Sequence, residues 1–267
     1  MVPRCFSFLR AGEWVLHTYG GDSILCPSIS GSSLSIPGVV AIRAAQPIHQ
    51  KWEVSTWRMI WKRFAYLGLS EISILGHSNS GAIALSYAER FPSRVSKLVL
   101  IDSQVLGLSA ATHTQEMLQE RAKDPRFKAA VKVVSTFLSG QANFAQNDES
   151  LELFIDQALP LYLYKPEKTL ALLKQHISGP ISSYAFASQF AADAANRTDL
   201  TQGLDRITAK VLITVGRHDY ICPLALSEHL HKGIPQSQLA IFEESGHFPW
   251  LEEPEKFFAI LNGFLSP

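Results

Sequence analysis

The chain has 267 residues, of which 46% are hydrophobic and 18% charged, enough to bury a sizeable core in one large domain with an insertion. Its 24 Lys+Arg balance 24 Asp+Glu, so it lacks the basic excess that a nucleic acid partner requires. Cys5, Cys26 and Cys222 lie far apart and form no CxxC pair, which excludes a disulfide framework or zinc knuckle and favours a reducing compartment.

No run approaches the roughly 18 apolar residues of a membrane span. Arg4, Arg10 and Glu13 fall where a signal peptide needs its apolar stretch. The expectation is therefore a cytoplasmic protein with no membrane span; the sequence leaves its oligomeric state undetermined. There is no internal repeat and no low-complexity tract, which removes solenoids and propellers.

The chain alternates short apolar runs with helical patterns. Ile72–Leu75 and Leu98–Ile101 flank a helical stretch, Gly81–Phe91, closed by Pro92, and this reads as a βαβ unit. Residues 114–123, 126–138, 150–159 and 167–177 carry helical patterns punctuated by Pro125, Gly140, Pro160, Pro166 and Gly179-Pro180. Two more strand-like runs follow, Val211–Val215 and Leu239–Phe242. The expected fold is α/β, a mostly parallel sheet flanked by helices. Its core is residues 1–103 and 206–267, and residues 104–205 form a helical cap inserted over the carboxyl ends of the strands. The alternative is that these helices pack on the sides of the sheet.

Ligands of an open parallel sheet bind beyond the carboxyl ends of its strands, so the residues after each run are the candidates for chemistry. Gly76-His77-Ser78-Asn79-Ser80-Gly81 joins a strand to a helix, the setting of a nucleophile elbow. Small residues must flank the serine two places to either side; Gly76 and Ser80 fill those places. The helix opening after Ser78 offers free N–H groups, so the Asn79 N–H is a candidate oxyanion donor.

A serine hydroxyl needs a base, and the base a carboxylate that fixes its tautomer. Asp219 follows Val211–Val215 and His247 follows Leu239–Phe242, giving the order Ser, Asp, His. His77 and His218 neighbour these groups and read as loop-packing histidines, and Asp102, which ends another strand, is a candidate displaced acid. His229 and His231 point to different sides of a helix and do not form a metal pair.

In these stretches, with Gly216–Pro223 and Ser245–Pro254, the sequence resembles the α/β-hydrolase-fold serine hydrolases, most closely the proline-iminopeptidase-like group. The resemblance runs from about Ser55 to the end. It implies Ser78 as nucleophile, Asp219 as acid and His247 as base, no metal and no organic cofactor, and a small-molecule or short peptide substrate cleaved at an ester, amide or peptide bond. An iminopeptidase would need acidic cap groups for the substrate amine; Asp148, Glu149, Glu152 and Asp156 are available. Phe154, Tyr162, Tyr164, Tyr184, Phe186 and Phe190 would supply either an apolar pocket wall or cap core.

The amino-terminal part departs from the family. A His-Gly-Gly-Pro-Gly-like loop, source of the second oxyanion donor, is replaced by Pro27-Ser28-Ile29-Ser30-Gly31 after Ser23–Cys26, which assigns the role to Ser28 or Ile29. The Asp-x-Arg-Gly-x-Gly-x-Ser motif is absent after Val39–Ile42, and little chain separates Gly31 from Trp57. The expectation is a divergent or shortened amino-terminal part. The rival to a serine hydrolase is accordingly a catalytically impaired relative that binds a small apolar ligand or a protein partner.

Overall fold

The computed structural model describes residues 23–26, 34–37, 39–42, 71–144, 146–176, 181–195 and 198–266. Its centre is a five-stranded sheet, β3 (Val39–Ile42), β4 (Ile72–His77), β5 (Val95–Ile101), β6 (Lys210–Gly216) and β7 (Ser237–Phe242), adjacent in chain order and parallel throughout. β1 (Ser23–Cys26) and β2 (Leu34–Pro37) form a separate antiparallel pair. The strand-like runs near 72, 98, 211 and 239 all become sheet strands.

Parallel strands joined by helices must bury both faces, and the side chains of the central strands divide accordingly. Leu98, Leu100, Val211 and Ile213 pack on one side against α1 (Asn79–Arg90) and Leu226 and Leu230 of the helix after β6. Val99, Ile101 and Leu212 pack on the other against Phe257, Leu261 and Leu265 of the last helix. This alternation, with a period of two, is what lets an unbroken apolar run such as Val211–Val215 serve two cores at once.

Register brings the strand ends level: His77 pairs with Ile101, Ile101 with Thr214, and Gly216 with Phe242. The turns after β4, β5, β6 and β7 therefore open at one edge. Gly216 is required there, because a Cβ on it would overlap the carbonyl of Gly246 where the loops after β6 and β7 touch backbone to backbone.

Among the described residues five α-helices lie between β5 and β6: α2 (Ala111–Arg121), α3 (Lys128–Leu138), α4 (Asp148–Ala158), α5 (Pro166–His176) and α6 (Ser183–Ala195). They have an apolar core of their own, built on Leu118, Phe127, Val131, Leu151 and Leu161, with Phe154 against Phe137 and Phe144. Asn147 starts α4 with a capping box, its side chain accepting from the Ser150 N–H while the Ser150 hydroxyl accepts from the Asn147 N–H. α7 (Leu224–Gly233), α8 (Pro249–Glu252) and α9 (Pro254–Leu265) complete the chain. Among the described residues no helix is long and apolar enough to cross a membrane.

Candidate active site

Ser78 stands between β4 and α1 with φ 56° and ψ −124°, one of two non-glycine residues with positive φ among those described. Its N–H continues the sheet by donating to Ile101 O at 3.0 Å, and its carbonyl accepts from Gly81 and Gln104. So tight a turn forbids a side chain at 76, where a Cβ would overlap the Ser80 carbonyl. Ser80 is buried in the place where a nucleophile elbow commonly has glycine. Replacing Gly76 with alanine pushes this backbone contact apart, so Gly76→Ala is expected to lose more than about 2 kcal/mol, measurable by urea denaturation.

The Ser78 side chain makes no capping bond to α1, which leaves its hydroxyl free for other partners. The Asn79 N–H lies in the first turn of α1, where backbone N–H groups have no intrahelical acceptor. The Asn79 side chain donates to Gln104 Oε1 at 3.0 Å, which fixes the residue beside the serine.

Asp219 and His247 meet across the ends of β6 and β7, His247 Nδ1 and Asp219 Oδ2 lying 2.6 Å apart, with the two residues 3% and 0% exposed. The other Asp219 oxygen accepts from the Ile221 N–H at 2.9 Å and the Cys222 N–H at 3.1 Å, a local turn that sets the carboxylate's direction. Burial alone would raise the Asp219 carboxyl, but the His247 ring and these amides hold it below its usual range. It is therefore an anion, suited to keeping the Nδ1 proton in place and Nε2 free as an acceptor.

The Cys222 thiol completes this group, its sulfur, an Asp219 oxygen and a His247 ring nitrogen lying within 4.8 Å of one another. Burial and the Asp219 and Asp102 carboxyl groups push the thiol well above its ordinary range, so it is neutral and a poor nucleophile. The Ser78 hydroxyl is the neighbour that opposes this rise. No Ser78–His247 hydrogen bond occurs among the described residues, where the His247 ring bonds to Asp219.

The helices between β5 and β6 are strapped to both loops. Arg121 donates to Leu163 O at 2.6 Å and to His218 O at 2.9 Å, beside Asp219. Glu252 accepts from Tyr164 N at 2.7 Å and Lys165 N at 3.4 Å through one oxygen, and from Gly246 N at 2.6 Å through the other. The His247 N–H donates to Tyr162 O at 2.7 Å. Segment 162–165 is thus pinned to the residues on which Asp219 and His247 depend.

Glu252→Ala removes the acceptor of three amides and is expected to cost about 2–4 kcal/mol, a melting-point drop of roughly 5–10 °C measurable by circular dichroism. Burial outweighs these amides and Arg121, and raises the Glu252 carboxyl to about 7. The folded state therefore binds its proton more tightly than the unfolded chain. This contribution to stability is full near pH 4 and is lost as pH rises through about 7. Glu252→Gln is expected to flatten that fall.

Two further histidines, His77 and His218, lie near these loops and are engaged there. His77 Nε2 hydrogen-bonds to the His247 carbonyl oxygen at 2.9 Å, and its ring packs on His247 and Trp250. His218 stacks on Tyr164 at 4.1 Å, and burial with nearby Arg121 lowers it, which keeps it neutral. Of Asp148, Glu149, Glu152 and Asp156, all exposed, Asp148 accepts from the Ser183 N–H and hydroxyl and Asp156 pairs with Lys174. Phe154 belongs to the apolar core of the helices between β5 and β6 and Tyr184 is exposed, whereas Tyr162 faces the His247 ring at 5.7 Å. Ser28 and Ile29 lie outside the described residues, as does the Phe190 side chain.

Sequence reasoning missed Arg121, Glu252 and Cys222. Only Cys222 had a local signal: an aspartate accepting from the amides two and three places on brings the third residue's side chain close to its carboxylate.

The profile of one family, described as alpha/beta hydrolase fold, matches residues 45–254. A pimeloyl-[acyl-carrier protein] methyl ester esterase of Neisseria meningitidis is 31% identical over 193 residues, covering 72% of this chain and 69% of its own. A proline iminopeptidase of Heyndrickxia coagulans is 30% identical over 206 residues, covering 75% and 68%. Among solved structures, an alpha/beta fold family hydrolase from Bacillus anthracis superposes with a TM-score of 0.65 at 20% identity, over 87% of this chain and 82% of that one. These matches thus span about two thirds of the length of the two curated relatives.

Proposed function

The chain belongs to the alpha/beta hydrolase fold family, and on that premise we propose that it is a serine hydrolase working through an acyl-enzyme at Ser78. The carrying observation is the juxtaposition at one sheet edge of a serine on a strained turn and a histidine bonded at 2.6 Å to a fully buried aspartate. The substrate is a small ester or amide, proline-terminated short peptides included; the esterase and iminopeptidase relatives support both bond types.

In the first half-reaction the Ser78 hydroxyl turns toward His247, and Oγ bonds to the substrate carbonyl carbon as Nε2 takes the hydroxyl proton. Asp219 stabilises the imidazolium, and the Asn79 N–H donates to the developing oxyanion. The imidazolium then gives its proton to the leaving alcohol or amine as the scissile bond breaks. In the second half-reaction water replaces the leaving group: its oxygen bonds to the acyl carbon, its proton passes through Nε2, and Ser78 Oγ departs. A second oxyanion donor falls to the Ser28 region by the family resemblance; one such donor is worth about 3 kcal/mol in the transition state.

The helices of residues 104–205 form a cap, supported by the strap that Arg121 and Glu252 make between segment 162–165 and the two loops. Hydrolysis of short acyl esters and proline arylamides, screened beside a fluorophosphonate probe, tests the assignment. Turnover of either substrate together with labelling upholds it. A folded protein that does neither supports ligand binding without catalysis instead.

A further inference from the structure

Asp102 follows β5 directly, is 0% exposed, and is the second positive-φ residue besides Ser78, with φ 44°. Its N–H donates to Thr214 O at 2.8 Å, and its Oδ1 accepts from the Gly216 N–H at 2.9 Å. These two bonds span the end of β6, three residues before Asp219. The other oxygen, Oδ2, is buried and accepts no hydrogen bond, while the side chain faces the Asp219 carboxyl group.

Two fully buried carboxyl groups facing each other do not both ionise. Among the described residues Asp219 has three donors, the His247 ring and the amides of Ile221 and Cys222, whereas Asp102 has only the Gly216 amide. A charge on Asp102 would leave Oδ2 an anionic oxygen without a donor. A proton there removes that orphan and supplies the neighbouring carboxylate with a further hydrogen bond.

We propose that Asp102 is a positioning residue that stands behind Asp219 as a neutral carboxyl group, donating its Oδ2 proton to the Asp219 carboxylate. The directions of the two groups agree: burial and then the Asp219 charge push Asp102 well above the carboxylate range, while Asp219 is held below it. A neutral donor shares the Asp219 charge and so weakens its hold on the imidazole, tuning how readily His247 gives its proton to a leaving group. This role rests on the reading of Asp219 and His247 as acid and base. Besides His247, the titratable or charged groups that face the pair are Cys222 and Glu252, with Arg121, Tyr162 and Tyr220 around Asp219.

The first readout needs no activity: carbon-13 NMR of the full chain labelled at aspartate carboxyls, parent beside Asp102→Asn. One carboxyl resonance is expected to keep the protonated shift from pH 4 to pH 8 in the parent and to vanish in the variant. If every aspartate titrates below pH 6, or the protonated signal survives Asp102→Asn, the proposal is overturned. The second readout is the pH dependence of fluorophosphonate labelling. Asp102→Leu supplies no proton and is expected to move the acid limb up by about one unit; Asp102→Asn, whose amide can both donate and accept, is expected to restore its position. An acid limb that stays in place in a folded Asp102→Leu overturns the tuning role. A folded parent that takes up no probe refutes the triad reading instead, and the NMR experiment still decides the protonation of Asp102.

Discussion

Ser78→Ala is expected to lower kcat for whichever ester or amide the parent turns over by roughly 10⁴- to 10⁶-fold, with little change in melting temperature. The chemical loss is large because the bond-forming atom is gone, and the only nearby thiol among the described residues, Cys222, is neutral and buried. The structural loss is small because the Ser78 side chain caps no helix and its backbone bonds to Ile101, Gly81 and Gln104 do not involve Oγ. Alanine and serine meet the same cost at φ 56°, so the turn's strain cancels in the comparison. Steady-state kinetics beside circular dichroism melts check both halves. A folded variant with parental turnover would remove Ser78 from the reaction.

Asp219→Asn is expected to cost about 10⁴-fold in kcat while leaving the fold intact, and the reason lies in its hydrogen bonds. The amide oxygen can still accept from the Ile221 and Cys222 N–H groups, so the local turn survives. The amide nitrogen then confronts His247 Nδ1 as a donor, turning that nitrogen into an acceptor and placing the imidazole proton on Nε2. A ring protonated on the side facing the serine cannot accept its proton. Asp219→Ala is expected to fare worse in stability, since both amides lose their acceptor in a buried place. Nitrogen-15 NMR of the His247 ring, read with kcat, separates a tautomer change from simple unfolding.

The strands were legible because each is a continuous apolar run, and such runs in a parallel sheet are long enough to identify from composition alone. Ser78, Asp219 and His247 could be placed together for the same reason: each follows such a run, and parallel strands bring their carboxyl ends to one edge. Helix existence was legible, but α2 begins at Ala111 where the helical pattern starts at 114, since Ala110 caps it without a side-chain bond that would mark the boundary. α6 was missed because Ser183–Ala195 mixes alanine and polar residues with scattered aromatics and presents no clear apolar stripe.

What remained invisible was long-range. Arg121 has the sequence neighbourhood of an exposed helical arginine, yet it reaches backbone carbonyls 42 and 97 residues away. Glu252 differs from Glu253 beside it only in which loop it meets: Glu252 accepts from the Tyr164 N–H, whereas Glu253 accepts from the Ser245 hydroxyl and the Glu244 N–H. Asp102 was legible as a strand-end acid and a possible substitute for Asp219; the bond to Gly216 and the orphaned Oδ2 that give it a different place arise only when β5 and β6 are paired.

The proposed role of Ser78 as an activated nucleophile served by His247 is tested by intact and peptide mass spectrometry of the folded protein after reaction with a fluorophosphonate, with His247→Ala beside it. The expected result is a single adduct on the peptide carrying Ser78, formed in the parent and strongly slowed in the variant. An adduct on a different residue, or equal labelling without His247, would contradict it.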